Sequence, residues 1–186
     1  MIDYPHVTQI VQAAGLSNYS GVPENIMEAA RNRGDVGHKT CELYDLENLD
    51  MNSVDERISP YLQAYIKFLK DFDLKFTKDE IEKQLVSKMG FVGTPDRISK
   101  AKGLAIDIKL THSLLPVLAI QLAGYQILAE ESGIRIKKRV GVQLKGDATY
   151  LIQEYKSLSD KNIFLSCLNI YNWKKEHRLL DKVVDI

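Results

Sequence analysis

Two carboxylates and a lysine stand close together near the middle of the chain, on short apolar segments. Asp96 ends a Gly-Thr-Pro-Asp sequence, and Asp107 and Lys109 are separated by one residue in the apolar stretch 103–110. Placing such charges among apolar residues costs free energy unless another charged group compensates them. A divalent cation held by the carboxylates, with a phosphate beside the lysine, would provide that compensation. The three residues therefore indicate metal-assisted chemistry on a phosphate group.

The spacing of these residues predicts how they meet. Asp107 and Lys109 are two residues apart in a predicted strand, so their side chains project from the same face. Asp96 is predicted on the adjacent strand of the same hairpin, where both carboxylates could share Mg²⁺ or Mn²⁺. That cation would activate a bound water, and Lys109 would hold the water or offset charge on the phosphate. The alternative interpretation of the D-x-K triplet is a surface Asp–Lys pair on an exposed strand.

Three residues upstream of the hairpin are further candidates. His38 is a candidate metal ligand, and an imidazole shifts preference from magnesium toward manganese or other transition metals. Glu42 lies one helical turn later and is a candidate for orienting the imidazole through a hydrogen bond. Glu82 precedes the hairpin and is a candidate acid of the same site, although a solvated strand residue is the simpler interpretation.

Gln121 and Tyr125 form a polar pair in an otherwise apolar segment. Residues four apart lie on one face of a helix. Both side chains can form hydrogen bonds with nucleic acid, and the tyrosine ring can also stack on a base. The alternative is a helix edge that carries a half-buried tyrosine.

The composition is that of an ordinary globular protein. The chain has 186 residues, 45% of them hydrophobic, and a net charge of zero, which predicts one domain with a substantial core. No apolar run approaches the roughly 20 residues of a membrane span, and we recognise no signal peptide. Cys41 and Cys167 are too far apart for a zinc site and too few for a disulfide framework, so a reducing cytoplasm is expected. Zero net charge argues against a protein that coats DNA, but less against a nuclease that concentrates charge in one cleft.

Hydrophobic periodicity predicts an α/β order of elements. Helices are expected at 5–14, in a region after Pro23 with a break at Gly34 and Gly37 and a new helix carrying His38, and at 54–72, 116–131 and 160–175; strands are expected at 81–89, 91–98, 103–110, 136–144 and 149–155. This order predicts a single domain over residues 1–186, with an N-terminal helical part of about residues 1–72 and a catalytic core of about residues 73–186.

These motifs, in this order, resemble the PD-(D/E)XK nuclease superfamily, and within it the RecB-like exonucleases, which include many phage-encoded members. The resemblance covers roughly residues 5–155. It is carried by an RG…H…E…Y helix with Arg33, Gly34, His38, Glu42 and Tyr44, a G-x-x-D motif from Gly93 to Asp96, a (D/E)-x-K motif from Asp107 to Lys109, a Q-x(3)-Y motif with Gln121 and Tyr125, and a strand pair from Val140 to Tyr150.

The resemblance implies a restriction-endonuclease-like core, in which helices flank a central mixed β-sheet. It also implies a role for each matching residue. The metal ligands would be His38, Asp96, Asp107 and the main-chain carbonyl of Ile108; the catalytic residues would be Asp96, Asp107 and Lys109; the DNA-binding residues would be Gln121 and Tyr125. The cofactor would be Mg²⁺ or Mn²⁺. Several RecB-like relatives carry four cysteines for an iron–sulfur cluster, so this chain resembles the phage-type members that have none.

The activity implied by the resemblance is metal-dependent hydrolysis of DNA phosphodiester bonds, most simply by an exonuclease of recombination, repair or end processing. The expected setting is a bacterial or phage-infected cytoplasm, away from membranes. The expected partners are DNA and a single-strand annealing protein, and a homo-oligomer is a further expectation. Two alternatives remain open: a structure-specific or nicking endonuclease with the same site, and a non-catalytic module that binds nucleic acid.

Overall fold

Five α-helices and six β-strands form the part of the chain that the structure, a computed structural model, describes: residues 4–16 and 23–180. The helices are α1 (Val7–Ala13), α2 (Glu24–Asp45), α3 (Ser59–Asp71), α4 (Val117–Glu131) and α5 (Ser159–Glu176). The strands are β1 (Leu85–Val86), β2 (Val92–Gly93), β3 (Arg97–Ser99), β4 (Leu104–Lys109), β5 (Lys138–Leu144) and β6 (Tyr150–Tyr155). Single 3-10 turns occupy Met51–Ser53 and Lys78–Glu80.

The main sheet has four strands in the order β3-β4-β5-β6. The β3–β4 and β5–β6 pairs are antiparallel, whereas β4 and β5 are parallel. A parallel pair needs a crossover connection, and α4 is that connection. Strands β1 and β2 form a separate antiparallel pair. The predicted α/β fold with a central mixed β-sheet flanked by helices is confirmed.

Strand β4 separates two hydrophobic cores. Ala105 faces a core formed with α1, α4 and α5, whereas Ile106 and Ile108 face a core formed with α3 and one side of α2. This alternation follows from the two-residue period of a strand. It places Asp107 on the same face as Ala105, between the sheet and α4, where its side chain is 1% exposed.

Helix α2 is continuous, and the predicted break at Gly34 and Gly37 is wrong. A side chain at Gly37 would overlap the side chain of Leu110, which follows β4. The glycine therefore allows the helix to approach the end of β4 closely. Its helix-propensity cost of about 1 kcal/mol is offset by that packing, so the helix passes through both glycines and carries His38 across the sheet edge.

The first two predicted strands are much shorter than expected. Of 81–89, Leu85–Val86 forms a strand and Ile81 makes a single bridge to Arg97. The segment 91–98 divides between Val92–Gly93 in the small sheet and the start of β3. Pro95 lacks a backbone donor and interrupts the segment between them. The predicted helix at 54–72 begins at Ser59, with Pro60 in its first turn as expected. The remaining helix and strand predictions agree with the structure to within a few residues.

No helix in residues 4–16 and 23–180 is both long and apolar enough to cross a membrane. A single domain over residues 1–186 stays a prediction, and its two ends, residues 1–3 and 181–186, lie outside the described residues.

We predict opposite effects on stability for alanine at two helical glycines. At Gly124, an added Cβ would lie 2.7 Å from Cε2 of Phe164 in α5, and such overpacking costs about 1–3 kcal/mol. At Gly34, nothing lies within 4 Å of an added Cβ, so Gly34→Ala should stabilise the protein by about 1 kcal/mol through helix propensity. Urea denaturation followed by circular dichroism measures both, and equal effects would contradict the packing of α4 on α5.

Candidate active site

Asp107 and Lys109 form an ion pair on one face of β4. The Nζ of Lys109 lies 2.6 Å from Oδ2 of Asp107, and the lysine side chain is 30% exposed whereas the aspartate is buried. The two residues therefore project together, as their spacing predicts, but not from an exposed strand. The surface-pair interpretation does not describe them, because Asp107 lies beneath α4.

Asp96 lies at the edge of β4 that β3 leaves open. Arg97 is opposite Ile106 in the β3–β4 register, so Asp96 stands just beyond the pairing, level with Asp107. Its Oδ2 accepts a hydrogen bond of 2.5 Å from the backbone N–H of Ile108. The N–H and C=O of one strand residue point to the same side, so the carbonyl of Ile108 faces the same open edge. The structure thus brings the Asp96 carboxylate and this carbonyl to one edge, with Asp107 level with Asp96 one position beyond the paired residues. Asp107 is not in the group of described side chains whose ligand atoms lie within 4.8 Å of one another.

His38 reaches this edge from α2. Its Nδ1 lies 3.4 Å from Oδ1 of Asp96, and His38, Glu82 and Asp96 each offer a ligand atom within 4.8 Å of the other two. Ligand atoms on opposite sides of an octahedral Mg²⁺ are about 4.2 Å apart, so these three residues fit a shared cation after small movements. They line a cavity of about 470 Å³, which we call the acidic cavity, together with Asp35, Lys39 and Glu42.

Glu82 belongs to this cluster, and its interpretation as a solvated strand residue is wrong. It lies outside the strands, with a left-handed φ of +45°, which is uncommon for a residue other than glycine. Its N–H donates to the carbonyl of Asp96 at 3.1 Å. This bond and the unusual φ turn the carboxylate toward His38 and Asp96.

Glu42 lines the same cavity but has a different partner. Its carboxylate accepts a hydrogen bond of 2.8 Å from Nζ of Lys39, and the imidazole of His38 instead pairs with Asp96. A role for Glu42 in orienting His38 stays a prediction.

Gln121 and Tyr125 support Asp107 from α4. The Gln121 amide Nε2 donates to Oδ1 of Asp107 at 2.9 Å and to the hydroxyl of Tyr125 at 3.0 Å. The tyrosine is 5% exposed and lies in the core between α4 and α5. A buried ring is not accessible to a base, so the prediction that Tyr125 stacks on DNA is wrong. The alternative interpretation, a half-buried tyrosine on a helix edge, is also wrong, because the ring is buried. The pair holds the carboxylate of Asp107, and DNA binding by Gln121 stays a prediction.

Arg97 is a residue of the site that sequence reasoning missed. Its side chain is 1% exposed, and its Nε donates to Oδ2 of Asp45 at 2.6 Å. The hydroxyl of Tyr65 donates to the same Asp45 oxygen at 2.6 Å. On the other side, Nη1 of Arg97 donates to the carbonyl of Asp96 at 2.5 Å and lies 3.4 Å from Oε1 of Glu82. The guanidinium thus connects α2 and α3 to the acidic cavity.

Burial and neighbouring charges give the four site groups different pKa values. Burial raises the pKa of Asp107 to about 6 despite Lys109, and burial together with Asp96 raises that of Glu82 to about 7. Burial also opposes ionisation of Asp96, but His38, Lys109 and the Ile108 N–H outweigh it and hold its pKa at about 2. Burial lowers the pKa of His38, yet the Asp96 carboxylate outweighs this and raises it overall.

The motifs quoted from the sequence converge on this one edge. One nitrogen, several carboxylate oxygens and a carbonyl oxygen form a donor set that suits Mn²⁺ or Mg²⁺. The Gly-x-x-Asp and Asp-x-Lys motifs and the histidine of α2 supply these donors, and the Gln-x(3)-Tyr motif contacts Asp107 from α4.

Comparison with known proteins finds likeness in structure but not in sequence. No protein-family model matches the chain, and no curated protein matches it. The crystal structure of an alkaline exonuclease (LHK-Exo) from Laribacter hongkongensis is similar over 96% of this chain and 95% of its own, with a TM-score of 0.48 and 12% identity. The crystal structure of SSO0001 is similar over 97% of this chain and 85% of its own, with a TM-score of 0.44 and 17% identity.

Removing the carboxylate of Asp45 should destabilise the protein strongly. Asp45→Ala leaves the buried guanidinium of Arg97 without its closest carboxylate, and breaking a buried pair in this way costs about 3–5 kcal/mol. Asp55→Ala is the control, because Asp55 pairs with Arg57 at the exposed surface and its loss should not move the transition. Urea denaturation measures both, and two equal transitions would contradict the role given to Arg97.

Binding of Mn²⁺ should weaken as the pH falls from 8 to 6. Below their pKa values of about 7 and 6, Glu82 and Asp107 carry protons that a cation must displace, at roughly a tenfold loss of affinity per pH unit for each proton. Isothermal titration calorimetry at pH 8, 7 and 6 measures this. Glu82→Gln should remove the part of the pH dependence near pH 7. An affinity for Mn²⁺ that does not change between pH 8 and 6 would contradict the assignment of Glu82 and Asp107 to the metal site.

Proposed function

We propose that this protein is a divalent-metal-dependent DNA nuclease that hydrolyses phosphodiester bonds. The observation that carries the proposal is the convergence of Asp96, Asp107, Lys109 and His38 at the open edge of β4. Two buried carboxylates facing one edge need a compensating positive charge. A lysine beside them suits a substrate that is itself anionic. Phosphodiester hydrolysis uses both charges.

The proposed metal ligands are His38, Asp96, Asp107 and the main-chain carbonyl of Ile108. Asp96 and Ile108 are already joined by a hydrogen bond, and His38 contacts Asp96. Mg²⁺ or Mn²⁺ in such a site lowers the pKa of a bound water and polarises the phosphate. Glu42 and Glu82 line the same cavity and add negative charge that attracts a cation and repels a substrate phosphate there.

Lys109 is the proposed catalytic cation. Its ammonium group pairs with Asp107 on one side and is 30% exposed on the other, so it can contact a phosphate oxygen without leaving the site. A fixed ammonium offsets the negative charge that develops on the phosphate during attack by water. Gln121 and Tyr125 act on Asp107: the amide N–H fixes Oδ1, which leaves Oδ2 to Lys109 and the open edge.

The proposed biological role is exonucleolytic processing of DNA ends in recombination or repair. The resemblance of the motifs to RecB-like exonucleases supports this role. We propose with it a bacterial or phage-infected cytoplasm, a single-strand annealing protein as a partner and assembly into a homo-oligomer. An endonuclease would use the same four residues, so the choice between them rests on the substrate that is cut.

Cleavage of end-labelled linear DNA and of closed circular DNA tests the proposal. With Mn²⁺ or Mg²⁺, linear DNA should be degraded and circles left intact, and EDTA should stop the reaction. Asp96→Ala and Asp107→Ala should lower the rate by at least roughly 10³-fold, because each removes a ligand and a charge at the reacting phosphate. Lys109→Ala should remove turnover but retain Mn²⁺ binding, and His38→Ala should weaken Mn²⁺ binding.

Lys156→Ala is the matched control for Lys109→Ala, because Lys156 is an exposed lysine beyond β6 and should cut like the wild type. Cutting of circles would identify an endonuclease at the same site. The proposal fails if the Asp96, Asp107, Lys109 and His38 variants all cut like the wild type, or if the wild type cuts nothing with either metal.

A further inference from the structure

A second cavity is lined by Lys109, whose charge also acts on His38 and Asp96 of the acidic cavity. It has a volume of about 700 Å³ and is enclosed by α1, α2, the loop after β4 and the start of α4. Lys109 and Gln121 line it, so it adjoins the ion pair of Asp107 and Lys109 directly. We call it the Lys109 groove.

The charges of the two cavities are opposite. The acidic cavity is lined by four acids, Asp35, Glu42, Glu82 and Asp96, against one lysine, Lys39, and His38. In the Lys109 groove the charged side chains among the described lining residues are Arg31 and Lys109, with no carboxylate. The chain has as many acidic as basic residues, 25 of each, so this separation is a local feature. Regions of opposite sign favour a cation in the acidic cavity and an anionic group in the Lys109 groove.

The floor of the groove is apolar. Val11 and Leu118 are buried beneath it, Val117 is partly buried and Leu115 is 46% exposed. An apolar floor with a cationic rim has the amphipathic character of a nucleotide site, where base and sugar contact the floor and phosphates contact the cations. Among the described lining residues there is no Phe, Tyr or Trp, and the imidazole of His112 is the ring that can contact a base. Stacking on such a ring selects little among bases, because every base has a π-face.

One wall of the groove is held in place before any ligand binds. Gln143 in β5 is buried, and its amide Nε2 donates to the carbonyls of Thr111 and His112 at 2.8 Å and 2.5 Å. Thr111 and His112 form the loop after β4 that lines the groove. A wall fixed by main-chain hydrogen bonds does not have to be ordered when a ligand binds, which reduces the entropy cost of binding.

We propose that the Lys109 groove holds one unpaired nucleotide of the DNA strand, next to the phosphate that is cut. The inference rests on the proposed function and names its substrate: DNA that is single-stranded or frayed at the point of cleavage. A base inside a cavity of this size is separated from its partner strand, and unpairing costs a few kcal/mol that a single strand or a mismatched end does not require. Base identity should have little effect.

Fluorescence anisotropy with a labelled single-stranded oligonucleotide tests binding. Ca²⁺ replaces Mn²⁺ or Mg²⁺ in the buffer, and a gel checks that the DNA keeps its full length. Leu115→Glu places a carboxylate in the groove, and Arg31→Gln removes a cation from its rim. Each should weaken binding by roughly fivefold or more, since both changes disfavour a polyanion at close range. The matched controls lie elsewhere on the surface: Leu158→Glu, at a leucine that is 92% exposed, and Lys156→Gln should change affinity by less than about twofold.

Cleavage rates on three labelled substrates test the unpaired state. A single strand and a duplex with mismatched ends should be cut faster than a fully paired blunt duplex, and Leu115→Glu should raise KM more than it lowers kcat. The proposal is overturned if the groove variants bind like their controls, if the single strand does not bind at all, or if the blunt duplex is cut as fast as the frayed one. If no DNA is cut but the groove variants alone lose affinity, the nuclease assignment fails and the nucleotide site stands.

Discussion

Strand β3 pairs with only the first half of β4, and the candidate site depends on that short pairing. Beyond Ile106, one edge of β4 has no neighbouring strand, although it carries backbone donors and acceptors that need partners. The Asp96 side chain takes the place of the missing strand by accepting from Ile108. A carboxylate is thereby fixed against the sheet, and the carbonyl of Ile108 is left facing the position where His38 also arrives.

Opposite charges on the two sides of this edge explain how so many acids remain buried near one another. Arg97 lies behind Asp96 and Glu82, neutralised by Asp45 on its far side, and Lys109 lies beside Asp107. Arg97 offsets the charges of Asp45 and Glu82, and Lys109 offsets the charge of Asp107. A buried carboxylate near a like charge titrates at a raised pKa, and the raised pKa of Glu82 beside Asp96 follows this rule.

The sequence predicted those parts of the site that depend on local geometry. Asp107 and Lys109 share a face because a strand has a period of two, and Asp96 meets them because the connection to β4 is short. What depends on distant contacts was not predictable. The low helix propensity of Gly37 favours a break, whereas its contact with Leu110, far along the chain, keeps the helix continuous. Glu82 was read as a strand residue, although its φ of +45° belongs to a turn. The burial of Arg97 depends on Asp45, which is 52 residues away in the sequence. An arginine next to an apolar residue does not by itself predict it.

Helix α4 joins the interior of the protein to the reacting groups through a chain of contacts. Gly124 packs on Phe164 of α5, its neighbour Tyr125 accepts from Gln121, and Gln121 fixes Asp107. A shift of α5 by a fraction of an ångström would therefore move a carboxylate that it never touches. Substitutions in the α4–α5 contact would alter the position of Asp107 without changing any residue of the acidic cavity.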